Sequence, residues 1–224
     1  MPFDKFLTLM DTLLGENGCP WDREQTHETL RQYLLEECYE TIEAINTKDM
    51  ASLQEELGDV LLQVVFHAKL AEKAGAFTIN DVITGVSEKL VSRHSHVFGA
   101  DKAENAQDVV AVWEANKQKE RQHSKAQAMN AVPKALPALI RASKILKRAT
   151  MGKSDKHQSI KEIKAMLASL EDENGEQFEL FGKLLLELVR LSVILELNAE
   201  LSLTNAAQGF ITSFSAENPA NSGL

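Results

Sequence analysis

The sequence predicts an all-α protein, built as a helical bundle from two tandem, related helical units. Apolar residues recur at the three- and four-residue spacing of a helix over most of the chain. Strand-type alternation of apolar and polar residues is hard to find, and aromatic residues make up only 6% of the chain. Proline, which breaks helices, stands outside the interior of these periodic segments.

The expected helices follow one another along the chain with short, polar connections. The segment 15–22 is expected to be a loop because it contains two glycines and a proline. The polar turn at 46–49 is short, which favours an antiparallel hairpin of the helices on either side. The predicted helices span 3–14, 26–46, 51–74, 79–96, 107–127, 137–149, 158–170, 175–198 and 202–215.

An internal repeat connects the two halves of the chain. When Gly58 is laid over Gly182, the run 58–62 matches 182–186, and both runs continue as a long apolar helix. Such self-similarity predicts the duplication of one helical unit. Acidic residues do not recur, since Asp59 falls on a lysine whose charge would repel a cation.

The sequence therefore predicts two units of different function. Residues 1–130 are expected to form a catalytic unit with a metal site, and residues 131–224 a degenerate second unit that is structural. Pro133 and Pro137 mark the break between them. Because this second unit lacks both the acids and any tryptophan, our hypothesis is that residues 137–215 stabilise the chain or its dimer.

Composition excludes several classes of protein. A formal net charge of −9 is unfavourable for binding nucleic acid directly, and 2 cysteines are too few for a disulfide framework. The longest apolar run, 184–197, is interrupted by Glu187 and Arg190, so no membrane span is expected. Residues 1–14 lack the pattern of a signal peptide. These features predict a cytoplasmic protein.

Two groups of carboxylates lie inside the second and third long helices. Glu37 and Glu40 are three residues apart, as are Glu56 and Asp59, so each pair shares a helix face. If the hairpin brings the two faces together, like charges this close cannot all stay ionised without a cation. The expected ion is Mg²⁺, with Mn²⁺ as a possible substitute, because both prefer oxygen ligands.

The acids lie at the edges of two apolar helix faces that are expected to point inward, with Cys38 as a small core residue. The alternative is a pair of solvated acidic helix surfaces, which is the usual setting of Glu in helices. The absence of a facing Lys or Arg favours the metal site. The predicted inward faces consist of Leu30, Leu34, Cys38, Ile42 and Ile45, and of Leu53, Leu57, Val60, Leu61 and Val64.

Several motifs follow one another along the first 114 residues in a specific order and spacing. They are Glu16–Asp22, Gln25–His27, Glu-Glu-x-x-Glu at 36–40, Glu-x-x-Asp at 56–59, Lys89, Arg93–Phe98 and Val112–Glu114. Together they resemble the MazG-type nucleoside triphosphate pyrophosphohydrolases, and the resemblance covers roughly residues 5–150 and is weak beyond them. It implies an all-α NTP pyrophosphatase fold and a metal-dependent hydrolase that converts nucleoside triphosphates to monophosphates and pyrophosphate, usually as a homodimer.

The resemblance assigns metal ligation to Glu37, Glu40, Glu56 and Asp59. It places catalysis on Glu36, Glu37 and Glu40. In this interpretation a spare carboxylate, Glu36 or Glu37, accepts a proton from the attacking water.

Substrate binding is expected from residues further along the chain. Lys89 and Arg93 share a helix face and could hold phosphate oxygens, although a solvated basic face is the alternative. His94 and His96 could bind phosphate, cap the helix or pack, and zinc is the weaker choice because no thiolate supports this pair. The predicted substrate-binding residues are Trp21, Lys89, Arg93, His94, Trp113 and Lys117.

The two tryptophans have structural alternatives. Trp21 could stack on a base, but a loop tryptophan also commonly anchors its loop to the core. Trp113 and Lys117 are four residues apart and match nucleotide contacts of the resembled family, yet Trp113 could equally be structural.

Two functions of different class are compatible with these patterns. The first is a magnesium-dependent hydrolase, acting either on common triphosphates or selectively on modified nucleotides. The second is a non-catalytic helical module that binds a nucleotide or a protein. The clustered acids favour the enzyme, because a scaffold has no physical need to gather carboxylates.

Overall fold

The computed structural model describes residues 1–120, 125–150, 155–170 and 177–217, and these residues contain helices and connections but no strand. The prediction of an all-α fold is confirmed. No helix among the described residues is long and apolar enough to cross a membrane. The helices are α1 Pro2–Leu14, α2 Pro20–Glu24, α3 His27–Thr47, α4 Met50–Lys73, α5 Ile79–Arg93, α6 Ser95–Phe98, α7 Ala106–Glu120, α8 Lys125–Asn130, α9 Ala138–Thr150, α10 Lys156–Leu170, α11 Gln177–Ile194 and α12 Ala199–Glu217.

Two short helices occur where the sequence led us to expect other structure. The segment 15–22 is not entirely a loop, because Pro20 occupies the first position of α2, where its fixed φ suits a helix. The helix expected at 79–96 ends at Arg93, since His94 has a φ of −101° and a ψ of 47°, outside the helical region. The chain then makes the single turn α6.

The helix expected at 107–127 coincides with two described helices. Helix α7 ends at Glu120 and α8 begins at Lys125, while residues 121–124 lie outside the described residues. The chain separates at this place into two compact units, Met1–Glu120 and Arg121–Leu224, where we expected a boundary at 130.

The core of the first unit is formed where α1 and α3 pack against α4. An ion pair between Lys69 Nζ and Asp11 Oδ1, 2.6 Å long, fastens α4 to α1, and Glu72 Oε2 lies 3.0 Å from the same ammonium group. Hydrogen bonding to Asp11 raises the pKa of Lys69 above its ordinary value. The buried residues of this core are Met10, Leu30, Val65, Phe66, Ala68 and Ile79.

Helices α3 and α4 form the predicted antiparallel hairpin. The turn between them uses Lys48 in the left-handed region, with a φ of 58°. Asp49 then caps α4, because its Oδ1 accepts hydrogen bonds from the backbone N–H groups of Ala51 at 3.0 Å and Ser52 at 3.2 Å. These bonds lower the pKa of Asp49, with the Ser52 N–H as the largest cause. The hairpin brings the acidic turns of both helices side by side.

A histidine pair joins the other end of the hairpin. His27 lies in the first turn of α3, directly after the N-cap Thr26, and its Nδ1 is 2.8 Å from Nδ1 of His67 on α4. The ring planes differ by only 10° and the centroids are 5.1 Å apart, so the rings meet edge to edge. One Nδ1 must therefore carry a hydrogen while the other accepts it.

The second unit repeats this arrangement of helices. Helices α10 and α11 pack as a hairpin, and α9 packs on α11 as α1 packs on α4. A buried polar group lies inside this hairpin, where Glu187 accepts hydrogen bonds from Ser159 Oγ at 2.6 Å and from Arg190 Nε at 2.8 Å.

The apolar faces that we expected to point inward are largely exposed, so that part of the prediction is wrong for the single chain. Cys38, expected in the core, is exposed as well. The reason is that α4 buries a different side, around Val65 and Phe66, against α1. Exposed members of the predicted faces are Ile42, Ile45, Leu57, Leu61 and Val64.

The histidine pair predicts a loss of stability at acidic pH. Partial burial, with a further contribution from His27, lowers the pKa of His67 below its ordinary value of 6.5. The unfolded chain therefore takes up a proton near pH 6.5 that the folded chain resists, so the free energy of unfolding decreases as the pH falls below 6.5. In His67→Phe, the unfolding temperature should change less between about pH 7.5 and 5.5.

The control for this experiment is His157→Phe, because His157 is an exposed histidine of α10. Thermal unfolding followed by circular dichroism should show the wild-type pH dependence in this control. An identical pH dependence in wild type and His67→Phe would contradict the interpretation.

Candidate metal centre

Three carboxylates converge where the acidic turns of α3 and α4 face each other. Glu37 comes from α3, and Glu56 and Asp59 from adjacent turns of α4. Each offers an oxygen, and these oxygens all lie within 4.8 Å of one another. We call Glu37, Glu56 and Asp59 the acid triad. All three side chains are half-buried.

Partial burial and mutual repulsion both act on the acids of this cluster. Partial burial, followed by the charges of Asp59, Glu40 and Glu56, raises the pKa of Glu37 above its ordinary value. Desolvation and the charge of Glu40 are the largest causes that raise the pKa of Glu56. Within the described residues no Lys or Arg forms an ion pair with the triad. A bound cation would relieve this repulsion.

The donor set fits a hard divalent cation. All the available ligand atoms are carboxylate oxygens, and no imidazole or thiolate belongs to the group. Mg²⁺ and Mn²⁺ prefer such oxygens, whereas zinc sites are commonly built with His or Cys. The exposed side of the triad also leaves room for water and phosphate oxygens to complete the coordination of an ion.

Two other predicted acids lie beside the triad. Glu40 is exposed, but its side chain interacts with both Glu37 and Glu56 and contributes to raising the pKa of each. Glu36 is exposed and does not belong to the group of converging oxygens. The structure thus brings three of the four predicted ligands together, with Glu40 at their edge.

A second cluster forms at the end of α5 and on α7. The guanidinium carbon of Arg93 lies 5.3 Å from the ring centroid of Trp113, within cation–π range. The ring of His94 meets Trp113 edge-on, with centroids 4.8 Å apart. We call Arg93, His94 and Trp113 the Trp113 cluster. Lys89 is exposed one turn before Arg93, and Lys117 Nζ pairs with Glu114 Oε1 at 2.7 Å.

Capping interactions fix the helices that carry this cluster. Helix α5 begins with a capping box in which Asp81 Oδ2 accepts from the Thr78 N–H at 2.7 Å and the Asp81 N–H donates to Thr78 Oγ1 at 3.3 Å. Ahead of α7, Asn105 Oδ1 accepts from the Asp108 N–H at 3.0 Å. The cluster therefore rests on two helices whose starting points are defined by sequence.

The two histidines have different environments. His94 Nδ1 lies 2.7 Å from the carbonyl oxygen of Leu90, to which it donates, so His94 caps the end of α5. Nδ1 of His96 is buried and has no hydrogen-bond partner among the described residues. The ring centroids of the two histidines are 5.6 Å apart.

Sequence reasoning missed Asn116, a buried residue of α7 that supports the Trp113 cluster. Its Nδ2 donates to Ser95 Oγ at 2.6 Å, which joins α7 to the turn following His94. The available signal was its position three residues after Trp113, on the side of the helix that faces α6.

Trp21 lies apart from this cluster, on the short helix α2. Its side chain is 52% exposed, and its ring meets that of Tyr33 on α3 edge-on at 6.0 Å. The contact with Tyr33 anchors one edge of the indole, while the exposed surface is open to a ligand.

Comparison with known proteins gives a consistent set of similarities. Residues 25–98, which include the acid triad, match the family model of the MazG nucleotide pyrophosphohydrolase domain. A Thermotoga maritima protein named nucleoside triphosphate pyrophosphohydrolase/pyrophosphatase MazG is 40% identical over 218 residues, which cover 95% of this chain and 84% of that protein.

Two further relatives differ in how much of their length is matched. The Escherichia coli nucleoside triphosphate pyrophosphohydrolase is 41% identical over 219 residues, covering 92% of this chain and 83% of the relative. The Bacillus subtilis uncharacterized protein YabN is 51% identical over 145 residues, which are 65% of this chain but only 30% of that longer protein. The similarity to YabN is thus partial, whereas the other two proteins match along most of their length.

The acid triad predicts that a divalent cation stabilises the folded chain. An ion that binds the assembled triad and not the unfolded chain favours the folded state, so Mg²⁺ at about 100 times its Kd should add about 2.7 kcal/mol to the free energy of unfolding. Asp59→Asn should lose most of this gain. In EDTA the same variant should unfold at a higher temperature than wild type, because one repulsive charge is removed.

Thermal unfolding with and without Mg²⁺ measures both effects. Glu43→Gln, which neutralises an exposed acid of α3, is the matched control and should keep the wild-type response to Mg²⁺. If wild type and Asp59→Asn gain the same stability from Mg²⁺, the triad does not hold the ion.

Proposed function

Since the chain belongs to the MazG family, we propose that it hydrolyses nucleoside triphosphates to nucleoside monophosphates and pyrophosphate, using Mg²⁺ held by the acid triad with Glu40. The observation that carries this proposal is the convergence of three carboxylate oxygens within 4.8 Å. The names of the Thermotoga maritima and Escherichia coli relatives support the same reaction, because this chain spans 84% and 83% of their lengths.

The carboxylates at this site have two proposed roles, metal binding and proton acceptance. When bound, Mg²⁺ supplies charge neutralisation to the triphosphate and polarises the phosphorus under attack. A carboxylate oxygen that does not coordinate the cation would accept the proton of the attacking water. Glu37 and Glu40 lie close together at the proposed site, and each could serve through its second oxygen while its first oxygen helps to hold the cation. Glu36 is exposed beside them and is the weaker candidate.

The Trp113 cluster is the proposed nucleotide-binding element. The guanidinium of Arg93 lies over the indole of Trp113 and is a group that binds phosphate oxygens well, and exposed Lys89 shares its helix face. The aromatic surfaces of Trp113 and His94 suit contact with a nucleoside, as does the exposed surface of Trp21. Lys117 adds a further cation on α7.

We also propose that the protein works as a homodimer. Three adjacent helices of the first unit carry large apolar side chains that nothing in the described chain covers, and such a surface is typical of an interface. A second copy would bury this face by the symmetry of a two-fold dimer. The exposed residues are Leu35, Tyr39, Ile42 and Ile45 of α3, Leu57, Leu61 and Val64 of α4, and Val82, Ile83, Val86 and Leu90 of α5.

The second unit exposes an apolar surface of its own. Large apolar side chains of α12, including Phe210 and Phe214, are exposed, and so are Leu185 and Leu188 of α11. An apolar surface of this kind supports the dimer alternative of our hypothesis that residues 137–215 stabilise the chain or its dimer.

A release assay tests the proposed reaction. Wild-type protein with Mg²⁺ should release pyrophosphate from one or more common nucleoside triphosphates. Asp59→Ala should lower kcat/KM by on the order of 100-fold or more, because a ligand and its transition-state support are lost. Glu40→Gln should also lose activity, whereas Lys183→Ala, at the matching position of the second unit, should keep it.

Two results would overturn this assignment. A folded wild-type protein that turns over no triphosphate but still binds one would identify a non-catalytic nucleotide-binding module. Full pyrophosphate release by Asp59→Ala, together with loss in Lys183→Ala, would move the active site to the second unit.

The proposed dimer is tested by charge insertion into its apolar face. Leu61→Glu places a carboxylate in the face that a second copy would cover, so burial in the dimer would leave an unpaired charge. Sedimentation equilibrium should show a dimer for wild type and a shift towards monomer for the variant. Lys48→Glu, in the exposed hairpin turn, should remain dimeric. A monomeric wild type at micromolar concentration would contradict the proposal.

A further inference from the structure

Gln63 is a buried polar residue with an unused hydrogen-bond acceptor. It lies on α4 with only 6% of its surface exposed, and its Oε1 has no partner among the described residues. Buried carbonyl-type oxygens are almost always hydrogen-bonded in folded proteins, so an exception indicates a ligand or a bound water.

Helix geometry directs this side chain towards the acid triad. Gln63 follows Asp59 by four residues and Glu56 by seven, so the three side chains share one face of α4. Side chains on a helix lean towards its N-terminus, which brings Gln63 over the turn that carries Asp59. The next polar residue of this face towards the C-terminus is His67, whose Nδ1 is already hydrogen-bonded to Nδ1 of His27.

The second unit, which lacks the acid triad, provides a comparison for the position of Gln63. When Gly58 is laid over Gly182, Gln63 falls on Glu187, which is also buried, with 5% of its surface exposed. A nearby pair of aligned residues is also buried in both units, namely Val65 and its counterpart Val189.

The two buried side chains differ in their partners. Both oxygens of Glu187 are satisfied inside the unit, by Ser159 Oγ at 2.6 Å and by Arg190 Nε at 2.8 Å. In the first unit the position of Arg190 is taken by Phe66, which has no donor. The buried acceptor at this position therefore lacks a partner among the described residues in the unit that carries the acid triad. In the unit that lacks the triad, both oxygens of the corresponding side chain are hydrogen-bonded.

We propose that Gln63 Oε1 accepts a hydrogen bond from a water molecule coordinated to the cation at the acid triad. Gln63 is then a positioning residue that acts on the cation's hydration shell and not on the ion itself. Mg²⁺ and Mn²⁺ sites keep several waters, and a water bound to a divalent cation is a strong donor. This inference rests on the proposed metal site.

Mn²⁺ binding in the absence of substrate provides the test. Gln63→Met keeps the approximate size of the side chain and removes the acceptor, whereas Gln63→Glu keeps an acceptor. We expect Gln63→Met to weaken Mn²⁺ binding by about 10-fold or more, as measured by the electron paramagnetic resonance signal of free Mn²⁺. The water-proton relaxation enhancement of the bound ion should change as well, and Gln63→Glu should bind Mn²⁺ at least as tightly as wild type.

Stability separates this role from a structural one. In EDTA, Gln63→Met should unfold at the wild-type temperature or above, because a buried acceptor without a protein partner has been removed. A lower unfolding temperature in EDTA, together with unchanged Mn²⁺ affinity and relaxation, would show that Gln63 holds only a structural water. If Gln63→Met does not fold, the Mn²⁺ affinity of Gln63→Glu provides the test. Weaker Mn²⁺ binding by Gln63→Glu than by wild type would overturn the proposal.

Two controls distinguish failure of this inference from failure of the proposed function. Asp59→Asn should abolish Mn²⁺ binding, and Glu187→Gln, at the matching position of the second unit, should leave it unchanged. If wild type itself does not bind Mn²⁺, the metal site and this inference fall together. If Asp59→Asn loses Mn²⁺ while Gln63→Met keeps wild-type affinity and relaxation, only the role of Gln63 is overturned.

Discussion

The repulsion among Glu37, Glu56 and Asp59 is the constraint on which the rest of the first unit depends. The three carboxylates are held together by the α3–α4 hairpin, whose turn is fixed by Lys48 and Asp49. A hairpin that serves only as a scaffold would be more stable without them, because partial burial and the neighbouring negative charges raise the pKa of Glu37 and of Glu56, and no basic residue of the described chain pairs with the three carboxylates. A divalent cation bound between the three carboxylates, as we propose, would make this unfavourable arrangement favourable.

The α3–α4 and α10–α11 hairpins each contain a buried polar side chain, and the two side chains differ in their hydrogen bonding. In the second unit Glu187 is paired with Ser159 and Arg190, which makes that hairpin self-sufficient. In the first unit the buried Oε1 of Gln63 has no partner among the described residues, and Gln63 shares a helix face with Glu56 and Asp59 of the acid triad. A fully paired polar network contributes to a fixed fold, while an open one requires a ligand or water to complete it. The difference matches the division of labour that we propose for the units.

Local patterns were sufficient to predict the long helices, the hairpin turn and the pairing of Glu37 with Glu56 and Asp59. They wrongly predicted that the apolar faces containing Ile42 and Leu61 are buried within the chain. Helical periodicity identifies an apolar face, but it does not show whether the same chain or a second copy covers that face. The local patterns also missed Gln63, since a polar residue inside a helical pattern gives no signal of burial, and Asn116, for which the available signal was its position three residues after Trp113. The functional assignment of Trp113 depended on family resemblance, because spacing alone could not separate it from a structural tryptophan.

The most direct test is an anomalous difference map from crystals of the protein grown with Mn²⁺. The account predicts a peak bonded to carboxylate oxygens of Glu37, Glu56 and Asp59 on the same chain, with water or phosphate oxygens completing the coordination. A peak at another place, or well-ordered triad side chains turned away from each other with no ion between them, would contradict the account.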